Sequence, residues 1–556
     1  MKKILKRHLS KYPIIKRQYQ KFRRAYAINP MEKLQQTMLS EMMPSNSELA
    51  AMRKKAEAFV YQPLISIIMP TYNTDLGMLV EAIESVHAQA YENWELVIVD
   101  DCSPNAAVRD KINEYARKDT RIVTEFLSTN HHIAGATNRG FEVATGDYIA
   151  LFDHDDYLYP NALFENVLVI NQYPQLCFIY SDEDKIDEHG NHHFDPYLKP
   201  EFNPDFLRCM NMITHFVVFK KELLSELGGE DKGYNGAQDW EFVMRLTDHL
   251  ALTEIYHINK VIYSWRVHSN STAMSTGTKP YVPEAQRNLL RKDLANKDAK
   301  GVKIYENYES IGQWLFQYPI QDNFPLVSIV IKDEGNIANL ERLLNSIFIK
   351  TSYFNYEIIL DSKREASLEI LRAFTVKHEN ISESINGEYV LVVSSQLEIL
   401  TFDWIEKLLG QAQREEIAYV MPRLVGEAIN EVKSVGIVVT DKGEILNLLN
   451  GFDTLGLRTL SEHIYLSTHH YISGVNPSCY MVSKALYHNQ TNALINSLQI
   501  NRKGLHNLFI SDVQIRTNQF DLIPKSYGIY KEFENFQDLY VNANFLKIER
   551  KFIRGE

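Results

Sequence analysis

The chain has 556 residues, of which 45% are apolar and 23% are charged, a composition typical of globular proteins with several domains. No apolar run reaches the roughly 18 residues that a membrane-spanning helix needs, and the N-terminal segment lacks the apolar middle of a signal peptide. The four cysteines lie far apart without CxxC spacing, which argues against a zinc site or a disulfide framework and fits a reducing cytoplasm.

The net charge of −12 is unevenly distributed along the chain. Residues 1–31 contain ten lysines and arginines and no acidic residue. Apolar residues recur among these cations at roughly helical spacing: Leu5, Leu9, Tyr12, Ile15, Tyr19, Phe22 and Tyr26. A basic amphipathic arm of this kind suits an anionic membrane surface, although Pro13 would interrupt a continuous helix. A solvated basic arm is the alternative, and the acidic remainder of the chain disfavours nucleic acid as a partner.

Buried strands alternate with helices after a polar, helical connector that is predicted at residues 32–61. The strands are predicted at 63–73, 94–103, near 122–126 and at 146–152. Short apolar strands that alternate with helices are typical of a parallel, Rossmann-like α/β sheet with flanking helices. No GxGxxG motif follows the first strand, so a dinucleotide cofactor is not expected.

The strand predicted at 146–152 runs directly into Asp153, His154, Asp155 and Asp156. In open α/β sheets, ligands bind at the carboxyl ends of the strands. Carboxylates crowded at that edge repel one another unless a cation shares them. The alternate pair Asp153 and Asp155 suits Mg²⁺ or Mn²⁺ with open positions for phosphate oxygens. The competing interpretation is a turn whose aspartates cap a helix.

Later segments carry further candidate residues. The segment at 236–246 begins a helix with Asp239 in its first turn, where the helix dipole favours a charged carboxylate. The last strand predicted in this region ends in a polar tail that contains Arg266 and His268. The acidic run at 182–184 is expected in a solvated loop, although it could border a second substrate.

A second copy of this pattern begins 262 residues after the first. PLVSIVIKDEGN repeats PLISIIMPTYN, NYEIILDSK repeats NWELVIVDDCS, and NGEYVLVVSSQLE repeats TGDYIALFDHDDY. The duplication predicts a first unit at 62–275, a helical linker at 276–321, a second unit at 322–545 and a basic tail at 546–556.

The second copy has lost the acidic residues. Aligning Gly387 with Gly146 puts Ser394 where the first unit has Asp153 and Gln396 where it has Asp155. The second unit is therefore expected to keep the core pattern as a degenerate copy.

The first unit resembles family-2 glycosyltransferases with the GT-A fold. The segments that carry this resemblance are PTYN at 70–73, VDDCS at 99–103, NHHIAGATNRG at 130–140, DHDD at 153–156, AQDWEFVMRL at 237–246 and WRVHSNSTA at 265–273. YSDEDKID, LKPEFNPD and LYPNAL carry a narrower resemblance to two-domain bacterial enzymes of O-antigen, rhamnan and capsule assembly. The chain departs from the usual pattern at Cys102 and His132, where such enzymes usually have glycine.

The resemblance implies a nucleotide-sugar site on the first unit. The residues it implies for this site are Pro70, Thr71, Tyr72, Asp100, Asp101, Asn138 and Asp153. Pro70, Thr71 and Tyr72 would line the base. A carboxylate at a strand end, such as Asp101, can accept a hydrogen bond from a base N–H or a ribose hydroxyl. Asn138 would bind ribose or sugar hydroxyls, or alternatively cap its helix.

The resemblance also implies a divalent metal ion, Mn²⁺ or Mg²⁺. Asp153, Asp155 and His268 would be its ligands, with Asp155 the most direct, and the cation would stabilise the departing nucleoside diphosphate. Arg266 could offset phosphate charge.

Inverting transfer needs a general base for the acceptor hydroxyl. The resemblance gives this role to Asp239, with Glu241 as the fallback. Trp240 and Trp265 could stack on sugar rings or pack in the core.

The expected activity is inverting, metal-dependent transfer of a sugar from a nucleotide sugar, either dTDP-rhamnose or a UDP-hexose. The expected acceptor is a lipid-linked oligosaccharide or a growing cell-surface glycan, reached from the cytoplasm at the inner face of the plasma membrane. A homo-oligomer is compatible with this interpretation. Two alternatives stay open: a non-catalytic glycan-binding scaffold, and a bifunctional polymerase with both units active.

Overall fold

The computed structural model describes residues 30–268, 281–310, 312–321, 323–362, 375–377, 381–428, 430–454, 460–487, 492–500, 504–517, 526–534, 538 and 540–546. The predicted arm, apart from its last two residues, and the predicted tail beyond residue 546 lie outside the described residues. None of the helices in the described ranges is long and apolar enough to cross a membrane.

Two helices precede the first sheet: α1 (Pro30–Met42) and α2 (Asn46–Glu57). A capping box starts α2, since Ser45 accepts from the backbone N–H of Glu48 while the Glu48 carboxylate accepts from the backbone N–H of Ser45. Leu39 of α1 and Ala56 of α2 are buried. The segment predicted as a polar connector is therefore helical and packs against the body of the protein.

The first sheet holds nine strands in the order β3–β2–β1–β4–β8–β6–β9–β5, with β7 paired to β6. These strands are β1 (Ile65–Thr71), β2 (Trp94–Asp100), β3 (Ile122–Phe126), β4 (Tyr148–Leu151), β5 (Tyr157–Leu158), β6 (Phe178–Asp187), β7 (His193–Tyr197), β8 (Val218–Lys220) and β9 (Ile255–Val267). Strands β3, β2, β1 and β4 are parallel, so their carboxyl ends meet at one edge. The antiparallel strand β8 joins this half to the parallel pair β6 and β9.

Helices flank the sheet as the alternating pattern predicts. They are α3 (Leu76–His87), α4 (Ala106–Lys118), α5 (His132–Val143), α6 (Ala162–Gln172), α7 (Pro204–Cys209), α8 (Glu222–Leu227) and α9 (Gln238–Asp248). Asp75 caps α3 and Asn105 caps α4 through side-chain oxygens that accept backbone N–H groups.

The linker differs from the helical expectation. Helix α10 (Val282–Asn296) is followed by an antiparallel hairpin of β10 (Lys303–Glu306) and β11 (Trp314–Gln317). Trp314, Leu315 and Phe316 are all buried in β11, and such a run of large apolar residues suits a buried strand.

The second unit contains a ten-stranded sheet in the order β14–β13–β12–β15–β22–β17–β23–β16, with β18 on β17 and β21 on β23. A separate three-stranded sheet has the order β19–β20–β24. The strands are β12 (Val327–Lys332), β13 (Tyr356–Asp361), β14 (Thr375–Lys377), β15 (Tyr389–Ser394), β16 (Leu397–Ile399), β17 (Ile417–Val425), β18 (Val432–Ser434), β19 (Ile437–Val439), β20 (Lys442–Asn447), β21 (His470–Ile472), β22 (Cys479–Ser483), β23 (His506–Thr517) and β24 (Ser526–Glu534). The helices are α11 (Ile337–Lys350), α12 (Ile381–Ser384), α13 (Trp404–Ala412), α14 (Leu460–Ser467) and α15 (Ala493–Ile500).

The two large sheets have the same topology. Strands β14–β13–β12–β15 are parallel neighbours like β3–β2–β1–β4, and the antiparallel β22 follows β15 as β8 follows β4. A hydrogen bond is also repeated: Ser66 Oγ donates to Glu95 Oε1 at 2.5 Å, and Ser328 Oγ donates to Glu357 Oε1 at 2.5 Å. The expected duplicated α/β fold is confirmed.

The two units share one continuous hydrophobic core. Arg414 of the second unit donates to both carboxylate oxygens of Asp205 in α7, at 2.7 and 2.9 Å. Next to this pair, the ring of Phe206 packs against Tyr465 and His470, with centroids 6.0 and 5.5 Å away. Bidentate pairing beside aromatic packing fixes the orientation of one unit relative to the other.

Candidate active site

The candidate site lies at the carboxyl edge of the parallel strands in the first unit. Thr71 ends β1, Asp100 ends β2, and Asp153 follows β4. Because these strands are adjacent and parallel, residues distant in sequence come together at this edge.

Asp100 and Asp101 lie at the β2 end of the edge, and both are buried. Oδ2 of Asp100 accepts from the backbone N–H of Ser103 at 3.2 Å, while its buried Oδ1 has no partner among the described residues. Oδ1 of Asp101 accepts from the backbone N–H of His131 at 2.7 Å. Asp101 therefore holds the loop before α5, and Asp100 keeps one buried acceptor that has no partner among the described residues.

The PTYN segment forms the neighbouring wall. Thr71 is buried, and its carbonyl accepts from the backbone N–H of Asp101 at 2.8 Å, which ties the ends of β1 and β2 together. Pro70 is the penultimate residue of β1, whereas Tyr72 is half exposed beyond the strand. The exposed ring of Tyr72 at the end of β1 is suited to stacking on a base.

Asn138 does not start its helix, as the sequence interpretation assumed, but lies within α5. Its Nδ2 donates to the carbonyl of Glu230 at 2.9 Å, and its Oδ1 accepts from the backbone N–H of Glu230 at 2.8 Å. Both amide groups of Asn138 thus help to hold the loop that contains Glu230, and Asn138 does not cap α5.

Asp155 and His268 face each other, with Nε2 of His268 3.0 Å from Oδ2 of Asp155. Burial works to raise the pKa of Asp155, but the neighbouring imidazoles of His154 and His268 outweigh it and keep that pKa below its usual range. For Asp153, burial outweighs the imidazole of His215 and raises the pKa. Asp155 and His268 are thus paired and Asp155 is ionised, and the charge of Asp155 also acts on Asp153.

Among the described residues, the group whose ligand atoms all lie within 4.8 Å of one another is Asp153, Asp156 and His215, so of the three predicted ligands the structure places only Asp153 in such a group. Asp156 is already bound by the protein, because Oδ1 accepts from the backbone N–H of Arg266 at 2.7 Å and Oδ2 accepts from the Tyr263 hydroxyl. Sequence reasoning missed His215, which directly precedes an apolar run and carries no motif of its own.

Arg266 does not reach toward phosphate as expected. Its guanidinium is buried, pairs with Glu81 at 2.7 Å and donates from Nε to the carbonyl of Asp155 at 2.7 Å. Arg266 instead fixes the backbone of the acidic loop.

Asp239 lies in the first turn of α9 and is partly exposed. Its Oδ2 accepts from the side-chain amide of Asn211 at 2.9 Å. Burial raises the pKa of Asp239, which brings that carboxyl closer to the range of a base at neutral pH. Glu241, the fallback, is paired with Arg245 at 2.8 and 2.9 Å.

The two tryptophans differ in environment. Trp240 is buried and its indole N–H donates to the carbonyl of Leu207 at 2.8 Å, so it packs in the core. Trp265 is partly exposed, and its ring centroid lies 5.2 Å from that of His215.

The acidic run at 182–184 is not a solvated loop. It lies in β6 and all three carboxylates are buried. Each has partners far away in sequence: Asp182 pairs with His257 at 2.8 Å, and Asp184 accepts from Ser264 at 2.5 Å. The run was expected in solvent because the local sequence does not show the distant partners that satisfy these buried charges.

At the equivalent edge of the second unit, β15 runs into hydroxyl and amide side chains where β4 runs into acidic ones. Ser394 ends β15 at the position of Asp153, followed by the buried Ser395 and Gln396. The Oγ of Ser395 accepts from the backbone N–H of Glu334 at 2.9 Å, so the loop is closed by neutral contacts.

A divalent cation fits the first unit's edge. Burial raises the pKa of Asp153, Asp239 and Glu230 because water is excluded, and neighbouring carboxylates raise the pKa of Asp153 and Glu230 further. Carboxylate oxygens and one imidazole are ligands that Mn²⁺ and Mg²⁺ accept.

Comparisons with known proteins test the family resemblance of the first unit. Residues 66–228 match the family model "Glycosyl transferase family 2". The uncharacterized protein y4gI of Sinorhizobium fredii is 36% identical over 65% of this chain and 42% of its own length. The O-antigen biosynthesis protein RfbC of Myxococcus xanthus is 30% identical over 68% of this chain and 30% of its own length. The chain thus spans less than half of either relative, and the expected resemblance is confirmed.

Among solved structures, S. aureus TarS 1–349 in complex with UDP-GlcNAc is 20% identical, with a TM-score of 0.35 over 42% of this chain and 69% of that chain.

Proposed function

We propose that this chain, whose residues 66–228 belong to glycosyl transferase family 2, is an inverting, metal-dependent glycosyltransferase of cell-surface polysaccharide assembly. The observation that carries the proposal is that Asp155, which is paired with His268, and Asp239 both lie close enough for their charges to act on Asp153. The relative named for O-antigen biosynthesis supports a polysaccharide product.

Each residue has a defined task in this reaction. Asp100 and the ring of Tyr72 bind the nucleotide, while Asp153, Asp155 and His268 would hold Mn²⁺ or Mg²⁺. When bound, the cation supplies Lewis-acid stabilisation of the diphosphate leaving group. The carboxylate of Asp239 takes the proton of the acceptor hydroxyl, whose oxygen attacks the anomeric carbon as the bond to the nucleoside diphosphate breaks. Attack from the opposite face inverts the anomeric centre.

The donor is dTDP-rhamnose or a UDP-hexose, and the acceptor is a lipid-linked oligosaccharide or a growing glycan. We place the protein in the cytoplasm, at the inner face of the plasma membrane, where residues 1–31 contact anionic lipids. The loss of both acidic positions at Ser394 and Gln396 supports a single catalytic unit.

The test is release of nucleoside diphosphate from a panel of dTDP and UDP sugars, with Mn²⁺ or with EDTA. Wild type should release it from one donor in the presence of Mn²⁺, and EDTA should abolish the release. Asp155→Ala and His268→Ala should each weaken Mn²⁺ binding at least tenfold, since each removes a ligand. A matched control is Asp195→Ala, which removes a carboxylate paired with Lys185 in the same unit. Turnover that resists EDTA and survives Asp155→Ala would overturn the metal-dependent mechanism.

A further inference from the structure

The LKPEFNPD segment has no role in the reaction described above, yet it contains a fully buried lysine. Lys199 donates from Nζ to Oε2 of Glu183 at 2.8 Å and to the carbonyl of Ile213 at 2.5 Å. Burying an ammonium and a carboxylate costs several kcal/mol per ion unless both are paired with good geometry. Lys199 therefore fixes Glu183 in one position.

Glu183 in turn holds the site residue His215. Its Oε1 lies 3.2 Å from Nδ1 of His215, and its Oε2 also accepts from the hydroxyl of Thr214 at 2.8 Å. The imidazole stacks on Tyr263 with centroids 5.1 Å apart and planes 5° apart. With one nitrogen bonded and one face covered, His215 has a fixed orientation beside Asp153 and Asp156.

The backbone around Lys199 is bound by the second unit. Nδ2 of Asn542 donates to the carbonyl of Lys199 at 2.8 Å and lies 2.9 and 3.0 Å from the two oxygens of Asp182. Ser461 Oγ accepts from the backbone N–H of Leu198 at 3.0 Å. Asn542 and Ser461 are both buried, so water does not compete for these bonds.

We propose that the second unit completes the active site of the first: Asn542 and Ser461 fix the segment of Lys199, and Lys199 with Glu183 places His215 beside Asp153 and Asp156. Asn542, Lys199 and Glu183 are positioning residues. This inference rests on the proposed function, and it assigns the second unit the task of holding the first unit's site in its working geometry.

The test compares Asn542→Ala with the matched control Asn544→Ala. Asn544 also bonds across the two units, from Nδ2 to the carbonyl of Asn259 at 2.9 Å. Asn259 bonds in turn to the side chain of Glu201, so Asn544 reaches the Lys199 segment only through another residue, whereas Asn542 binds the backbone of Lys199 directly. The measurements are the Tm, the kcat and KM for the donor found in the panel, and calorimetric binding of Mn²⁺ alone. Both variants should lower the Tm by a similar amount. Asn542→Ala alone should lower kcat or Mn²⁺ affinity at least tenfold.

A second variant keeps the test valid if Asn542→Ala fails to fold. Ser461→Ala removes a smaller contact to the same segment and should lower kcat or Mn²⁺ affinity about threefold. Equal kcat and Mn²⁺ affinity in all three variants would overturn the positioning role while leaving the glycosyltransferase proposal intact. If wild type uses no donor but binds Mn²⁺ more tightly than Asn542→Ala does, the positioning role is supported and the proposed function is overturned. A wild type that shows neither would overturn both.

Discussion

Asn211 donates its side-chain amide to Oδ2 of Asp239 at 2.9 Å and thereby sets the direction of a carboxylate in the first turn of α9. Asn211 lies between α7 and β8, so the orientation of the proposed base depends on a loop that is distant from it in sequence. An amide donor stabilises the ionised form of the carboxylate, against the burial that raises the pKa of Asp239.

Asp239→Asn should lower kcat by roughly 10³-fold while the Kd of the donor changes by less than about threefold, because general-base catalysis supplies about 10²–10⁴ of the rate. Steady-state kinetics and calorimetric donor binding measure the two effects. Glu241→Gln serves as the control, since Glu241 is paired with Arg245 and should affect stability more than kcat. Equal losses of kcat in both variants would contradict the assignment of Asp239 as the base.

The buried carboxyl group of Glu230 should make the free energy of unfolding depend on pH. Burial, together with the charges of Asp239 and Asp153, raises the pKa of Glu230 from 4.5 to about 8. Between these two values the folded protein binds more protons than the unfolded chain, so the free energy of unfolding decreases as the pH rises. At pH 8, Glu230→Gln should therefore have a higher Tm than wild type and a free energy of unfolding that is larger by on the order of a few kcal/mol. Both differences should shrink toward pH 5.

The control for this prediction is Glu226→Gln, which changes an exposed glutamate on α8. Its Tm should follow that of wild type at every pH. Parallel Tm profiles for Glu230→Gln and wild type would show that the buried carboxyl does not change its proton occupancy on unfolding.

Cys102 and His132 have φ angles of 62° and 61°, in the left-handed region that favours glycine. A side chain there costs roughly 1–2 kcal/mol, although glycine also loses more chain entropy on folding. Cys102→Gly and His132→Gly should each increase the free energy of unfolding by up to about 1 kcal/mol. Chemical denaturation measures the change, with Cys177→Gly as a control at a position without positive φ, where we expect destabilisation. Destabilisation by both test variants would indicate that contacts of the side chains outweigh the backbone strain.

Deleting residues 1–29 leaves the helix that begins at Pro30 intact and removes the basic arm. The shortened protein should no longer co-sediment with anionic vesicles, because each basic residue near such a surface contributes about 1 kcal/mol to binding. Wild-type binding should weaken with added salt and should be absent on neutral phosphatidylcholine vesicles. Unchanged co-sedimentation of the deletion variant would exclude the arm as the membrane contact.

The strands and their acidic ends were predictable because both are local features. A short apolar run that stops at Asp153 is readable from a few residues, and parallel pairing then brings Asp100 and Asp153 to the same edge. The duplication was readable for the same reason, since apolar periodicity survives where the acidic residues do not.

The parts of the site that could not be predicted depend on contacts between segments that are distant in sequence. Asn542 and Asp182 are 360 residues apart in sequence, and no local pattern around either residue indicates that the other satisfies it. His215 was missed because its role comes from Glu183, which is 32 residues away and was itself expected in solvent. A buried charge is recognisable only when its partner is known, and here the partners lie on other strands or in the other unit.

The hydrogen bond shared by Ser66–Glu95 and Ser328–Glu357 shows which features two diverged copies of one sheet retain. The two copies can be compared position by position, because they share one sheet topology but differ in sequence. Residues preserved in both copies are those that the backbone needs to fold, and residues changed only in the second copy are free of that need. Ser394 and Gln396 of the second unit therefore indicate how to make an inactive but folded variant of the first unit. This variant is Asp153→Ser combined with Asp155→Gln, because the equivalent strand and turn of the second unit already contain these two side chains.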